Sequence, residues 1–117
     1  MDRLTGFVSL HPYFKVPPEN LSVLKGILPE FAAKTRGETQ TYFYEFTING
    51  DEVFCREAYV NAEALLEHLD NVQAMLAHAL TMAELIRIEV HGPAAELEKL
   101  KEPLAHLNPS WFTLVAA

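Results

Sequence analysis

Across residues 6–16 apolar and polar positions alternate, with Val8, Leu10, Phe14 and Val16 on one side and Ser9, His11, Tyr13 and Lys15 on the other. That period of two predicts a strand with one buried face. Pro12 has no N–H for the ladder, so the strand is expected to bulge or end near it, or to lie beside an unpaired edge. After Pro17-Pro18 the spacing changes to threes and fours. Leu21, Leu24, Leu28, Phe31 and Ala32 mark one face of a helix running to about Lys34, kinked or restarted at Pro29 and stopped at Gly37. Two runs rich in Thr, Tyr, Phe and Val follow at 39–48 and 52–60, joined by Asn49-Gly50-Asp51. Asn-Gly between such runs predicts a hairpin, because both residues tolerate positive φ.

Asn61 is placed to cap a helix whose apolar stripe is Leu65, Leu69, Val72, Leu76 and Leu80. Within it, Asp70-Asn71-Val72-Gln73 repeats a capping pattern, so one helix and two short ones fit equally. Residues 85–91 alternate again, with Ile86, Ile88 and Val90 opposing Leu85, Arg87, Glu89 and His91. Gly92-Pro93 then opens a third helix reaching about Leu107, interrupted at Pro103, and residues 111–115 make a last short strand. The order is β-α-β-β-α-β with an α-β tail, a ferredoxin-like α+β arrangement. Its core covers about residues 6–92 and its extension about 93–117.

An antiparallel sheet of this kind carries helices on one face. Alternation assigns Ser9, His11, Tyr13, Leu85, Arg87, Glu89 and His91 to the other face, and Glu57 and Tyr59 are expected to join them. Phe7, Tyr13, Phe43, Tyr59 and Leu85 are large groups to leave in water, so the sheet of a second copy is expected to cover them.

The chain has 117 residues, 50% hydrophobic and 21% charged, the composition of one globular domain spanning 1–117. The net charge is −7 and the Lys and Arg residues are scattered, which argues against nucleic acid as a partner. There is no long apolar run, and Asp2 and Arg3 lead into Leu4-Thr5-Gly6 rather than a signal-peptide core. No membrane association is therefore expected, and the cytoplasm is the expected location. The single Cys55 excludes an internal disulfide and a multi-cysteine metal site, and is expected to be a small buried hydrophobe.

The hairpin-to-helix junction, Glu57-Ala58-Tyr59-Val60-Asn61-Ala62-Glu63-Ala64-Leu65-Leu66-Glu67-His68, resembles the signature of the antibiotic-biosynthesis monooxygenase-like family. It has Glu-x-aromatic at the end of the third strand, a polar helix start, and Ala ahead of a His next to the pocket. The aromatic strand Thr41-Tyr42-Phe43-Tyr44 fits as well. The resemblance implies a dimeric α/β barrel, two sheets packed face to face, each with a cavity between its sheet and the second helix. Among the activities it implies is oxygenation of phenols and quinols without flavin or metal. Fold membership does not by itself fix the reaction.

Cofactor-free oxygenation needs an apolar cavity, a base to form the phenolate, and donors to hold the anion. His68 and His11 are the candidate catalytic residues, His68 being the position that faces the family's cavity. Tyr44, Tyr59, Glu57, Arg87 and Trp111 are candidate substrate contacts. A haem-degrading branch would use a helical His as iron ligand, and His78 has the spacing from His68 for that role, but His68 and His11 stand where that branch carries Trp and Asn. No His pair forms a local metal clamp, and no Gly-rich phosphate loop is present. The expected function is a cofactor-independent monooxygenase of a small quinol or polyphenol, acting as a homodimer without metal. The alternative is a non-catalytic dimeric module that binds a small aromatic ligand.

Overall fold

The computed structural model describes residues 4–115, so Asp2 and Arg3 lie outside the described residues. The elements are β1 (Val8–Lys15), α1 (Pro18–Thr35), β2 (Thr41–Asn49), β3 (Glu52–Tyr59), α2 (Ala62–Asn71), α3 (Gln73–Ala79), β4 (Glu84–Gly92), α4 (Ala94–Leu100), a 3₁₀ turn (Ala105–Leu107) and β5 (Ser110–Thr113). The sheet order is β2-β3-β1-β4-β5. The first four strands pair antiparallel, and β5 adds to β4 in parallel. This is the expected ferredoxin-like α+β fold with its α-β tail forming a fifth strand. Among the described residues no helix is long and apolar enough to cross a membrane.

Pro12 does not end β1. The strand runs through it at the centre of the sheet, but no paired residues join β1 and β3 between Leu10↔Glu57 and Tyr13↔Phe54, where a missing N–H interrupts the ladder. One residue later the β1–β4 register shifts, from Tyr13↔Arg87 to Phe14↔Leu85. That bulge corrects the expected facing of β4, because an extra residue flips the alternation. Leu85 turns toward the helices and Ile86, expected in the core, is 46% exposed. The hairpin is also off by one. Asn49 pairs with Glu52, so the two-residue turn is Gly50-Asp51, with positive φ at Gly50 only. A turn with positive φ at its first central residue needs one glycine, not an Asn-Gly pair.

α1 continues through Pro29, which lies on its exposed side. The second helical segment does break: α2 ends at Asn71, Val72 leaves helical geometry, and α3 starts at Gln73. Asn61 Oδ1 accepts the N–H of Ala64 at 2.9 Å, the expected cap.

The core consists of two clusters. One joins Val8, Leu10, Tyr59, Leu65, Ile88 and Val90 to Leu97, Leu100 and Leu104 of the extension. The other joins Val16, Leu24, Phe31, Val53, Val72 and Ala79 beneath α1 and α3. Among the described residues no helix packs on the opposite face of the sheet. There Tyr13 packs on Phe54, and His11 sits 4.5 Å from the His91 ring, which stacks on Phe112 at 4.4 Å.

Candidate functional site

His68 sits in the last turns of α2, on the side that also carries Ala64 and Leu65, so the helix aims it at the sheet. It is 2% exposed and lies between the rings of Tyr44 on β2 and Tyr59 on β3, at 4.9 and 5.2 Å. Tyr59 belongs to the first core cluster and Tyr44 packs against the second. The imidazole therefore occupies the seam between them. In this seam is a cavity of about 70 Å³. Apolar side chains such as Leu10, Phe14, Leu28, Phe31, Val72 and Ile88 line most of it, and Tyr44, Cys55, Glu57 and His68 supply its polar wall.

Glu38, in the loop between α1 and β2, backs the imidazole. Its Oε2 accepts from His68 Nδ1 at 2.8 Å and from Asn71 Nδ2 at 2.8 Å, and its Oε1 accepts from Thr41 Oγ1 at 2.6 Å. Burial pushes this carboxyl up, but the bonds from Thr41, Asn71 and His68 together outweigh it and hold the group below its ordinary value. Glu38 is thus a carboxylate, which fixes His68 as the Nδ1–H tautomer with a free lone pair on Nε2. Burial lowers the His68 pKa and Glu38 opposes that in part, so the ring is neutral at pH 7.

His68 Nε2 faces Glu57 Oε1 at 3.6 Å. Glu57 is 4% exposed on β3, and its Oε1 accepts the Tyr59 hydroxyl at 2.5 Å. Burial raises its pKa to about 7, against the lowering effect of Tyr59 and the Cys55 thiol. Tyr44, Cys55 and Tyr59 are all pushed well above their ordinary values by burial first and by the Glu57 charge next, so each remains a neutral donor. Among the described residues no buried side-chain nitrogen or oxygen lacks a partner. The arrangement is a neutral imidazole base with a carboxylate behind it and a half-ionised carboxyl group in front.

Several expected site residues are elsewhere. His11, a candidate catalytic residue beside His68, lies elsewhere: odd-numbered β1 residues point to the helix-free face, so the sheet separates the two. Glu57 and Tyr59, expected on that open face, have the opposite alternation: Val53, Cys55 and Glu57 line the helix-side cavity. Arg87 is on the open face, donating from Nε to Glu89 Oε2 at 2.6 Å. Trp111 pairs in register with Val90 and packs against the first core cluster without lining the cavity. His78 is exposed on α3, because Val72, Leu76 and Ala79 make that helix's inward stripe; with a cavity of about 70 Å³, the residues present do not fit a haem. Cys55 is buried, as expected. Among the described residues no cluster of three His, Cys, Asp or Glu could hold a metal ion.

Glu38, Thr41 and Asn71 were missed. Glu38 lies in a polar loop, and Asn71 read only as part of a helix-capping pattern. They meet His68 across 30 or more residues or through a helix end, which no local periodicity encodes.

No family model matches the sequence, and no curated protein matches it. Solved structures do. MupZ from Pseudomonas fluorescens is 37% identical, covering 97% of this chain and 93% of its own, with a TM-score of 0.92. A Caulobacter crescentus protein provisionally named an antibiotic biosynthesis monooxygenase is 22% identical over 74% of this chain and 88% of its own, TM-score 0.66. One of the same provisional name from Chloroflexus aurantiacus is 18% identical over 76% and 94%, TM-score 0.63. These two show the fold. With the Glu57-to-His68 junction built around the cavity and a relative of 37% identity along almost the whole chain, this protein belongs to the antibiotic biosynthesis monooxygenase-like family.

Proposed function

We propose that the chain is a cofactor-independent monooxygenase of a small quinol- or polyphenol-type aromatic, with His68 as its base. The observation that carries this is the polar wall: a neutral imidazole with its Nε2 lone pair beside an otherwise apolar cavity and a carboxylate 2.8 Å behind Nδ1. Proton transfer from a phenol to Nε2 forms an imidazolium that Glu38 stabilises and a phenolate in a water-poor space. The phenolate is electron-rich enough to reduce O2. One oxygen atom stays on the product and the other leaves as water, with every electron supplied by the substrate.

The cavity is about half the volume of the roughly 150 Å³ space that holds benzene. A ring therefore needs additional room. An outer cleft of about 260 Å³, lined by Arg36, Glu38, Thr41 and Phe43, shares the Tyr44 wall with the cavity. Tyr44 is the wall between the two spaces, and the reading requires it to turn aside when a ring enters. The second part of the proposal is a homodimer through the helix-free sheet face, where Phe43, Ile86 and Phe112 are 42–47% exposed beside Tyr13 and Phe54.

Oxygen uptake over naphthols, hydroquinones and catechols tests the reading. Wild type should exceed buffer autoxidation on at least one compound, and His68→Ala should lower kcat by roughly 10²–10⁴-fold, as for a positioned base. Uptake no faster than autoxidation across the panel would leave a binding module. Equal uptake by the two proteins would remove His68 from the reaction.

A further inference from the structure

The outer cleft beside Tyr44 is polar where the inner cavity is apolar, and most of its polar side chains are already committed. Thr35 Oγ1 donates to the Phe31 carbonyl at 2.8 Å, and Thr41 Oγ1 donates to Glu38 at 2.6 Å. Glu38 accepts from Thr41, His68 and Asn71. Arg36 differs: its exposed guanidinium lines the cleft and has no ion-pair or side-chain hydrogen-bond partner among the described residues. From this uncommitted cation beside the site we infer that Arg36 is a specificity-determining residue and that the substrate is an aromatic acid, its carboxylate paired with Arg36 while its ring reaches past Tyr44 toward His68.

Charge singles the residue out. In a chain of net charge −7, Lys15, Arg56, Arg87, Lys99 and Lys101 each sit against a carboxylate. Among the described residues Lys25, Lys34 and Arg36 do not, and of these three only Arg36 lines the cleft that borders the site. A basic residue at the end of α1 also suits the helix dipole, but Lys34 in the last turn already supplies that charge.

The order of charges sets the direction of the ligand. Glu38 is 9% exposed on the His68 side of the cleft, and its carboxylate repels an anion from the inner end. An anionic group therefore settles at Arg36 and an apolar ring points inward, which is the order the apolar cavity requires. Arg36 stands two positions before Glu38, at most about 7 Å of chain, and Glu38 Oε2 lies 2.8 Å from His68 Nδ1. A bicyclic acid is long enough to span that distance. The guanidinium fork takes both carboxylate oxygens at once, a match that a neutral amide does not offer.

The inference rests on the reading that the cavity takes an aromatic ring, and the test measures binding without turnover. Under nitrogen, 6-hydroxy-2-naphthoate and its neutral amide, 6-hydroxy-2-naphthamide, are titrated into the full chain by calorimetry at pH 7. Wild type should bind the acid about 10-fold more tightly than the amide. Arg36→Gln should erase that preference while leaving affinity for the amide unchanged, and Arg36→Lys should keep part of it. Lys25→Gln, which removes the same charge elsewhere on α1, should keep all of it. Acetate at the concentration of the acid should not displace it. Wild type binding neither compound, or binding the acid no more tightly than the amide, overturns the inference. So does an equal loss of both compounds in Arg36→Gln, a lost preference in Lys25→Gln, or displacement by acetate. Oxygen uptake separates this result from the oxygenase reading. Preference for the acid without uptake on any phenol keeps Arg36 and removes the oxygenase, and uptake on naphthols without preference for the acid does the reverse.

Discussion

Replacing Glu57 by Gln should make the protein more stable at alkaline pH. Glu57 is buried and ionises at about 7 instead of its ordinary 4.5. The sign follows from proton binding. Between those two values the folded state holds a proton that the unfolded chain has lost, so raising the pH destabilises the fold through that window. At pH 8 the penalty is about 3 kcal/mol, at roughly 1.4 kcal/mol for each pH unit between the two pKa values. Gln has the same shape, and its amide oxygen still accepts the Tyr59 hydroxyl, but it has no charge to desolvate. His68 acts oppositely. Its pKa is lowered in the fold, so the stability associated with it is lost as pH falls below 6.5, but this contribution is common to both proteins. Urea unfolding of wild type and Glu57→Gln, followed by the fluorescence of the single Trp111 at one protein concentration and at pH 5, 6, 7 and 8, reads the difference directly. The variant's gain should rise from about 1 kcal/mol at pH 5 to about 3 kcal/mol at pH 8. A pH-independent difference, or a variant that loses ground as pH rises, would refute a buried half-ionised Glu57.

Glu38→Gln removes the charge that raises the His68 pKa and one of the acceptors that hold its ring, so kcat should fall by roughly 10²-fold and the acidic limb of the pH–rate profile should move to lower pH; a fall in rate without that movement would leave Glu38 a structural role only. On the open face, Phe112→Glu places a carboxylate against the His91 ring in the middle of the proposed interface, and sedimentation should show a folded monomer where wild type is a dimer. A wild-type monomer at micromolar concentration would remove the barrel.

Element order and the first two helical segments were legible because they follow local rules: the period of two at Val8 and Leu10, the stripe through Leu65 and Leu76, the Asn61 cap; the third helix, expected to about Leu107, instead ends at Leu100, ahead of Pro103. The facing of the strands was legible only where nothing interrupts alternation. One bulge beside Tyr13 exchanged Leu85 and Ile86 between faces, and the alternation through Val53, Cys55 and Glu57 gave no intrinsic sign of which side met the helices, since Phe54 and Ala58 are also apolar. That ambiguity hid the site. With Glu57 assigned to the wrong face, its carboxyl could not be placed beside His68, and His11, which the sheet holds apart from it, took that position instead. The family junction indicated His68 correctly as a cavity residue, but Glu38 became visible only once the loop after α1 folded against the end of α2.

The extension after Gly92 acquires a role from the same packing. A base is useful only if its helix is held still, and α2 has ten residues, too few to be stable alone. At its N-terminus Glu96 Oε1 of α4 accepts the N–H of Ala62 at 2.8 Å, adding a second acceptor to the one Asn61 supplies, and a negative charge there also suits the helix dipole. Leu97, Leu100 and Leu104 bury themselves with Leu65 and Tyr59, each contributing roughly 1.5–3 kcal/mol of apolar burial. At its C-terminus Asn71 donates to the Glu38 carboxylate that holds His68. The helix is therefore pinned at one end by the tail and at the other by the site itself. Position of the imidazole depends on both, which is why residues 93–107 belong to the architecture of the proposed site even though none but Leu107 reaches the cavity.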